Sequence, residues 1–401
     1  MTRLLGFVLL FGLTAVTVTA EPLQFVDQWR AGDLPAYGQA YSGLTTLKPQ
    51  GLKAELGKPA STVRYASFEF SGEKGSMRVV AAMAEPPNGA QALYVDSNAD
   101  GALKQEEVAK QASADERPPG FGRADEQVWV ADLSRPYSRR VAFRLSRFGG
   151  MLVCAVRGYW AGRLPVDGQP RDLVLVDANA DLRLETGRDR AYVDLDGDGK
   201  LDPQSEGFAL LTRMQFGQSA FSFPARMGAQ QVQWEVARQG EGTLRFALGA
   251  LKVKPDKLMA SVSWEGGRVF GANALGQDLT VPAGSYTVES LLVRARGADG
   301  KTHTYSFDRR GSAKPIVVQA NRASTADLLG KLSLAVSGFG TTQRRGGSFS
   351  VGVNLQTATG LALTSYDSGQ TTEGRDSRVA PFIKFLAPDG SVVQQGSMEF
   401  G

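Results

Sequence analysis

Residues 96–107 read Asp-Ser-Asn-Ala-Asp-Gly-Ala-Leu-Lys-Gln-Glu-Glu, with side-chain oxygens at every second position (Asp96, Asn98, Asp100) ahead of a glycine at 101. A hard cation takes six to eight oxygen ligands at roughly 2.3–2.6 Å, and alternate residues of a tight loop can turn their oxygens to one side. Gly101 permits the sharp turn. A second run, 194–202, repeats the spacing with Asp194, Asp196 and Asp198, then Gly199 at the sixth place, Lys200 at the seventh, Leu201 at the eighth and Asp202 at the ninth. A third, 177–185, keeps Asp177, Asn179 and Asp181 and ends on Glu185, but Leu182 stands where the glycine belongs.

The first run matches, position for position, the twelve-residue calcium loop of EF-hand proteins, D-x-[DN]-x-[DN]-G followed by Glu at twelve. The resemblance implies that Asp96, Asn98 and Asp100 give three oxygens, the carbonyl of Ala102 another, and Glu107 two more that close the site. Leu103 is where such loops place an inward apolar residue. The second run resembles the Asp-rich calcium loops of dockerins and related exported repeats, although its twelfth position is Ser205 and Glu206 stands one place late. In the third, Arg188 takes the twelfth position. That copy either completes a site through Glu185 or Asp189, or only makes a turn.

With 24 Asp and 6 Asn in 401 residues, random placement gives roughly 0.1 occurrences of D-x-[DN]-x-D against the three present, each after a strand-like run ending in Val. Asp, Asn and Gly also form turns without any metal. Between Asp177 and Glu206, however, nine acidic residues face four basic ones, a crowding that a cation, Arg partners or solvent must offset. Many flexible oxygen ligands favour Ca2+ over magnesium. Because the loops follow strands, the helix-pair opening of calcium sensors lacks its machinery, and a structural site is expected.

The elements that must position these loops are strands. Short apolar or alternating runs recur between Gly, Pro, Asp and Asn, among them Tyr65–Phe70, Met77–Ala84, Ala92–Val95, Gln127–Ala131, Arg140–Leu145, Met151–Val156, Asp172–Val176 and Arg190–Val193. The expected fold is mainly β, antiparallel β-sandwich domains with little helix. Helix is expected only from about Leu103 to Lys110 and at Ser324–Leu332. The pairs Asp299-Gly300 and Asp389-Gly390 read as hairpin turns. The expected domains are 21–215, carrying the acidic loops, then a sandwich-like 216–322 and a small Ig-like or other sandwich at 323–401. The phrase Val281-Pro282-Ala283-Gly284-Ser285-Tyr286-Thr287-Val288 resembles the turn-and-strand of prealbumin-like and carboxypeptidase-regulatory-like sandwiches, which implies a fold and no activity.

Met1-Thr2-Arg3, the apolar run Leu4–Val18 and Val18-Thr19-Ala20 compose a signal peptide over residues 1–20. Its apolar run is shorter than the roughly 20 residues of a spanning helix, and no later segment is long and apolar enough. The expected location is therefore periplasmic or secreted, in a bacterium, with no membrane span after signal removal. One cysteine excludes an intrachain disulfide and a Cys-rich zinc site, and one histidine excludes any site that needs two. With 45 basic and 41 acidic residues there is no basic excess that points to nucleic acid. His303 reads as a strand residue, Cys154 as a buried small one, and Gly300-Lys301-Thr302 as a false echo of a phosphate loop, since Ala295 stands where its first Gly is required. Trp129, Tyr159, Trp160 and Trp264 read as core ahead of a sugar-stacking platform.

These residues point to an exported calcium-binding β-rich protein with structural calcium, serving as a surface or glycan/protein-interaction module, with a glycan or cell-surface protein as partner and no catalytic residues assigned. The alternative is a calcium-dependent polysaccharide- or cell-wall-acting enzyme, for which no carboxylate pair outside the loops stands out. An assembly or adhesion component is a third reading.

Overall fold

A computed structural model of the chain describes residues 22–397 apart from 57–61, 73–74, 86, 88–89, 135–137, 204, 228–230, 237–239, 250–254, 266, 298–299, 311–313, 340–349, 368–381 and 387–389. The leader expected at 1–20, and Asp299 and Asp389 of the expected turns, lie outside the described residues. The chain divides into two compact units, Met1–Gln239 and Gly240–Gly401. Both are mainly β, and the one helical element among the described residues is a 3-10 turn, Gln105–Glu107.

In the first unit, a six-stranded antiparallel sheet runs in the order Gly207–Ala209, Arg190–Val193, Gln169–Val176, Tyr159–Val166, Leu23–Val26, Gln231–Val232. A five-stranded sheet runs Lys110–Gln111, Val128–Asp132, Arg140–Leu145, Met151–Arg157, Tyr37–Gly43, and a three-stranded one Thr62–Gly72, Gly75–Glu85, Ala92–Val95. The period-two alternation of Phe68, Phe70, Val79, Ala81, Met83, Leu93 and Val95 sets them against Trp129, Val141, Phe143, Leu152 and Cys154 of the five-stranded sheet in one core. Within Met151–Arg157, residues 152–156 are an unbroken apolar run because both faces are covered there: Val153 and Ala155 on the other side pack with Trp29, Phe121, Val128 and Val130.

In the second unit, the strands Gly267–Ala272, Lys257–Trp264, Gly284–Arg296, Thr302–Arg309, Leu361–Asp367, Ser350–Gln356 and Ser333–Phe339 lie in that order in a sheet. A smaller sheet, Asp278–Val281, Gly242–Ala247 and Ala323–Asp327, shares its core through Leu244, Phe246, Leu279, Tyr286 and Leu291. Gly242–Ala247 pairs in parallel with Ala323–Asp327, so segments on either side of residue 322 join one sheet. The turn at 281–288 is held by the Tyr286 hydroxyl, which donates to the Pro282 carbonyl at 2.6 Å.

Two local expectations are corrected. Helix beyond Leu103 stops after one 3-10 turn, because Val108 is extended and the Ala109 N–H pairs with the Leu93 carbonyl at 2.8 Å. The stretch from Ser324 begins as strand, since Ser324, Thr325 and Ala326 complete the smaller sheet, and tertiary pairing overrides a short helical pattern.

Candidate metal centre

The three acidic runs adopt one backbone shape. Positions four and six are left-handed in each: Ala99 and Gly101 (φ 54° and 78°), Ala180 and Leu182 (56° and 68°), Gly197 and Gly199 (75° and 77°). Side chains impose this geometry. The first carboxylate turns inward and accepts from the backbone N–H of position six through one oxygen: Asp96 from Gly101 at 3.1 Å, Asp177 from Leu182 at 2.7 Å, Asp194 from Gly199 at 3.1 Å. Its other oxygen accepts from Asp100 at 3.1 Å, from Asp181 at 3.2 Å, and in the third case from Gly197 at 2.7 Å. Position three accepts from the N–H of position five (Asn98, Asn179, Asp196), and position five from that of position seven (Ala102, Arg183, Lys200), all at 2.8–3.2 Å. Leu182 holds the left-handed place where glycine was expected, its side chain packed on the core.

What closes each loop is a carboxylate farther along. In 194–206 it is Glu206, whose oxygens accept from Leu195 at 2.9 Å, Asp196 at 3.3 Å and Asp202 at 2.9 Å. In 177–189 it is Asp189, which accepts from Ala178 at 2.9 Å and Glu185 at 2.6 Å. Both stand at position thirteen and bridge the N–H groups of positions two and nine. The apparent one-residue lateness of Glu206 is thus the rule of this pair of loops, and a superposition of the two runs would have shown it. In the first loop Glu107, at position twelve, accepts from Lys104 at 3.1 Å through Oε2, and its Oε1 is buried with no hydrogen-bond partner.

The electrostatics follow burial. Asp96, Asp177, Asp189, Asp194 and Glu206 are buried carboxylates, which water cannot solvate. Burial pushes the Asp177 carboxyl well above the usual range, with the charges of Asp189 and Asp181 adding to it, and pushes Asp189 up to about 6. Burial also raises Asp96 and Glu107, whereas the Lys104 ammonium, 2.6 Å from Asp100, lowers the Asp100 carboxyl. Among the described residues, Asp194, Asp196 and Asp198 are the acidic group whose ligand oxygens all lie within 4.8 Å of one another.

The chain matches no family model, no curated protein and no solved structure.

The clustered carboxylate oxygens of Asp194, Asp196 and Asp198, of which only Asp194 is buried, and an orphaned buried oxygen on Glu107 fit a hard oxygen-seeking cation. Not all expected ligands converge. Glu185 is engaged by Arg183, Arg188 and Arg226 at 3.6–3.7 Å, so guanidinium groups compensate its charge. Asp202 accepts from the Ser205 hydroxyl at 2.7 Å. Leu103 and Leu184, each at position eight, are buried, whereas Leu201 at the same position is half-buried.

Two of the loops are also stitched to remote strands, which their spacing could not reveal. Backbone carbonyls of 177–189 accept from Gln39 (Ala178 O, 3.2 Å) and Ser71 (Asp181 O, 2.6 Å), so a loop springing from the six-stranded sheet holds an edge of the five-stranded sheet and the end of Thr62–Gly72. The first loop accepts from Lys53 (Gly101 O, 2.9 Å) and Ser134 (Ser97 O, 3.0 Å). Trp129, Tyr159 and Trp160 are buried, Trp264 packs on Tyr286, and the Cys154 thiol is fully enclosed, its pKa pushed up by burial.

Proposed function

We propose that the three acidic loops are calcium sites that fasten the sheets of the first unit, and that the protein is a non-catalytic, exported, calcium-stabilised binding module. The observation that carries this reading is the common left-handed pair and inward carboxylate in three separate loops, each closed by a further acid. Calcium supplies a compact divalent charge against carboxylates that burial otherwise disfavours. Loop 177–189 touches three sheets, so an ion there fixes their relative placement. Among the described residues the strand scaffold has no helix pair to open, and the ion's role is to hold rather than to signal.

Calorimetric titration of chelator-treated protein tests this, with Asp96→Ala, Asp177→Ala and Asp194→Ala each expected to remove one ion from the stoichiometry. Unchanged stoichiometry in all three would refute it.

A further inference from the structure

The first unit carries a cleft of about 400 Å³, apart from the acidic loops, lined by Gln91, Arg123, Glu126, Gln127, Trp129 and Arg147 among others. That volume is in the range of small-molecule sites. We propose that it binds a short neutral saccharide. The proposal gives a ligand class to the binding role above and does not depend on the calcium reading.

The lining is mostly polar, with both signs of charge present. Two guanidinium groups, Arg123 and Arg147, are matched by the carboxylates of Asp125 and Glu126, and the amides of Gln91 and Gln127 both donate and accept. A balanced set of donors and acceptors suits hydroxyl groups, which do both, and gives a net-charged ligand no advantage. Trp129 and Leu145 form the apolar part. Next to Arg147, at the tip of the hairpin Arg140–Leu145/Met151–Arg157, Phe148 is 93% exposed, an aromatic ring with no core role that is available to the C–H face of a sugar.

The walls are held in place by groups outside the cleft. Arg117 donates to the carbonyls of Arg123 (3.0 Å), Ala124 (3.1 Å) and Glu126, and the Arg123 N–H is fixed on the Glu126 carboxylate at 3.1 Å, so the loop bearing four lining residues is braced. Arg64 links the Gly149 carbonyl (3.0 Å) to Glu85, and Glu85 accepts from the lining Gln91 amide at 3.2 Å. This chain ties the hairpin tip to the start of Ala92–Val95. Prior fixing of polar groups lowers the ordering cost of binding.

The test is saturation-transfer NMR and calorimetry of the full chain with maltohexaose, cellohexaose, chitohexaose and oligogalacturonate, with and without chelator. At least one neutral oligosaccharide is expected to bind saturably, insensitive to added salt. Gln127→Ala and Phe148→Ala are each expected to weaken it by at least about fivefold, the loss of one modest hydrogen bond or ring contact, with melting temperature unchanged because Phe148 supports no core. No saturable neutral binding, binding of oligogalacturonate alone, or neutral binding untouched by both substitutions would overturn the proposal. Loss of binding only with chelator would trace it to the acidic loops instead and overturn the assignment to this cleft.

Discussion

Gly38 sits in the strand Tyr37–Gly43, and a Cβ there would stand 1.7 Å from the Asp177 carbonyl oxygen and 2.7 Å from the Ala178 carbonyl carbon. Those are backbone atoms of the second acidic loop in chain order, and they cannot swing aside as a side chain can. Gly38→Ala is therefore expected to destabilise the protein by at least about 3 kcal/mol, through overpacking against a fixed loop. Gly101 makes a contrast: a Cβ there meets nothing within 4 Å, and only its φ of 78° opposes a side chain. Gly101→Ala should cost about 1–2 kcal/mol. Denaturant unfolding of the two variants separates these mechanisms, and equal losses would contradict the close approach. At this scale the sequence shows Gly101, whose place in the acidic spacing declares it, but not Gly38. Its importance comes from a chain segment about 140 residues away. Asp189 and Glu206 were legible only in part, because their shared position thirteen emerges when the two loops are laid side by side.

Each loop is an element with a charge problem, and in 96–107 and 177–189 that problem is linked to a mechanical role. In metal-free protein Asp177 and Asp189 hold their protons above the ordinary carboxylate value of 3.8, Asp189 to about 6. Between those values the unfolded chain has released protons that the folded chain keeps, so stability of the chelated protein should fall as pH rises through that window. Melting curves across it provide the check, and a rise with pH would show that other groups dominate. The mechanical role predicts where chelation is felt: hydrogen exchange should quicken at 37–43 and 69–72, whose Gln39 and Ser71 amides end on loop carbonyls, and should not change at 257–264 in the second unit. Strand positions such as Met151–Val156 were legible because apolar periodicity decides them locally. The helix expected after Leu103 was not, because Ala109 answers to Leu93 across a sheet.

Over the whole molecule, two mainly β units divide at Gln239, and no helix among the described residues is long and apolar enough to cross a membrane. The β class was legible from short runs punctuated by Gly, Asp and Asn. The order of strands was not, since pairings such as Gly242–Ala247 with Ala323–Asp327 depend on partners distant in the chain. Chemistry is concentrated in the first unit, where all three acidic loops lie, so a cation should stabilise that unit. The most direct measurement is a melting curve of chelator-treated protein before and after calcium addition, read beside a calcium titration. With calcium at about 100 times its dissociation constant, each independent site should add roughly 2.7 kcal/mol of stability, and the account predicts saturable binding of calcium with a raised melting temperature. Absence of binding heat together with an unshifted melt would contradict it, and would reduce the three loops to turns held by their own hydrogen bonds.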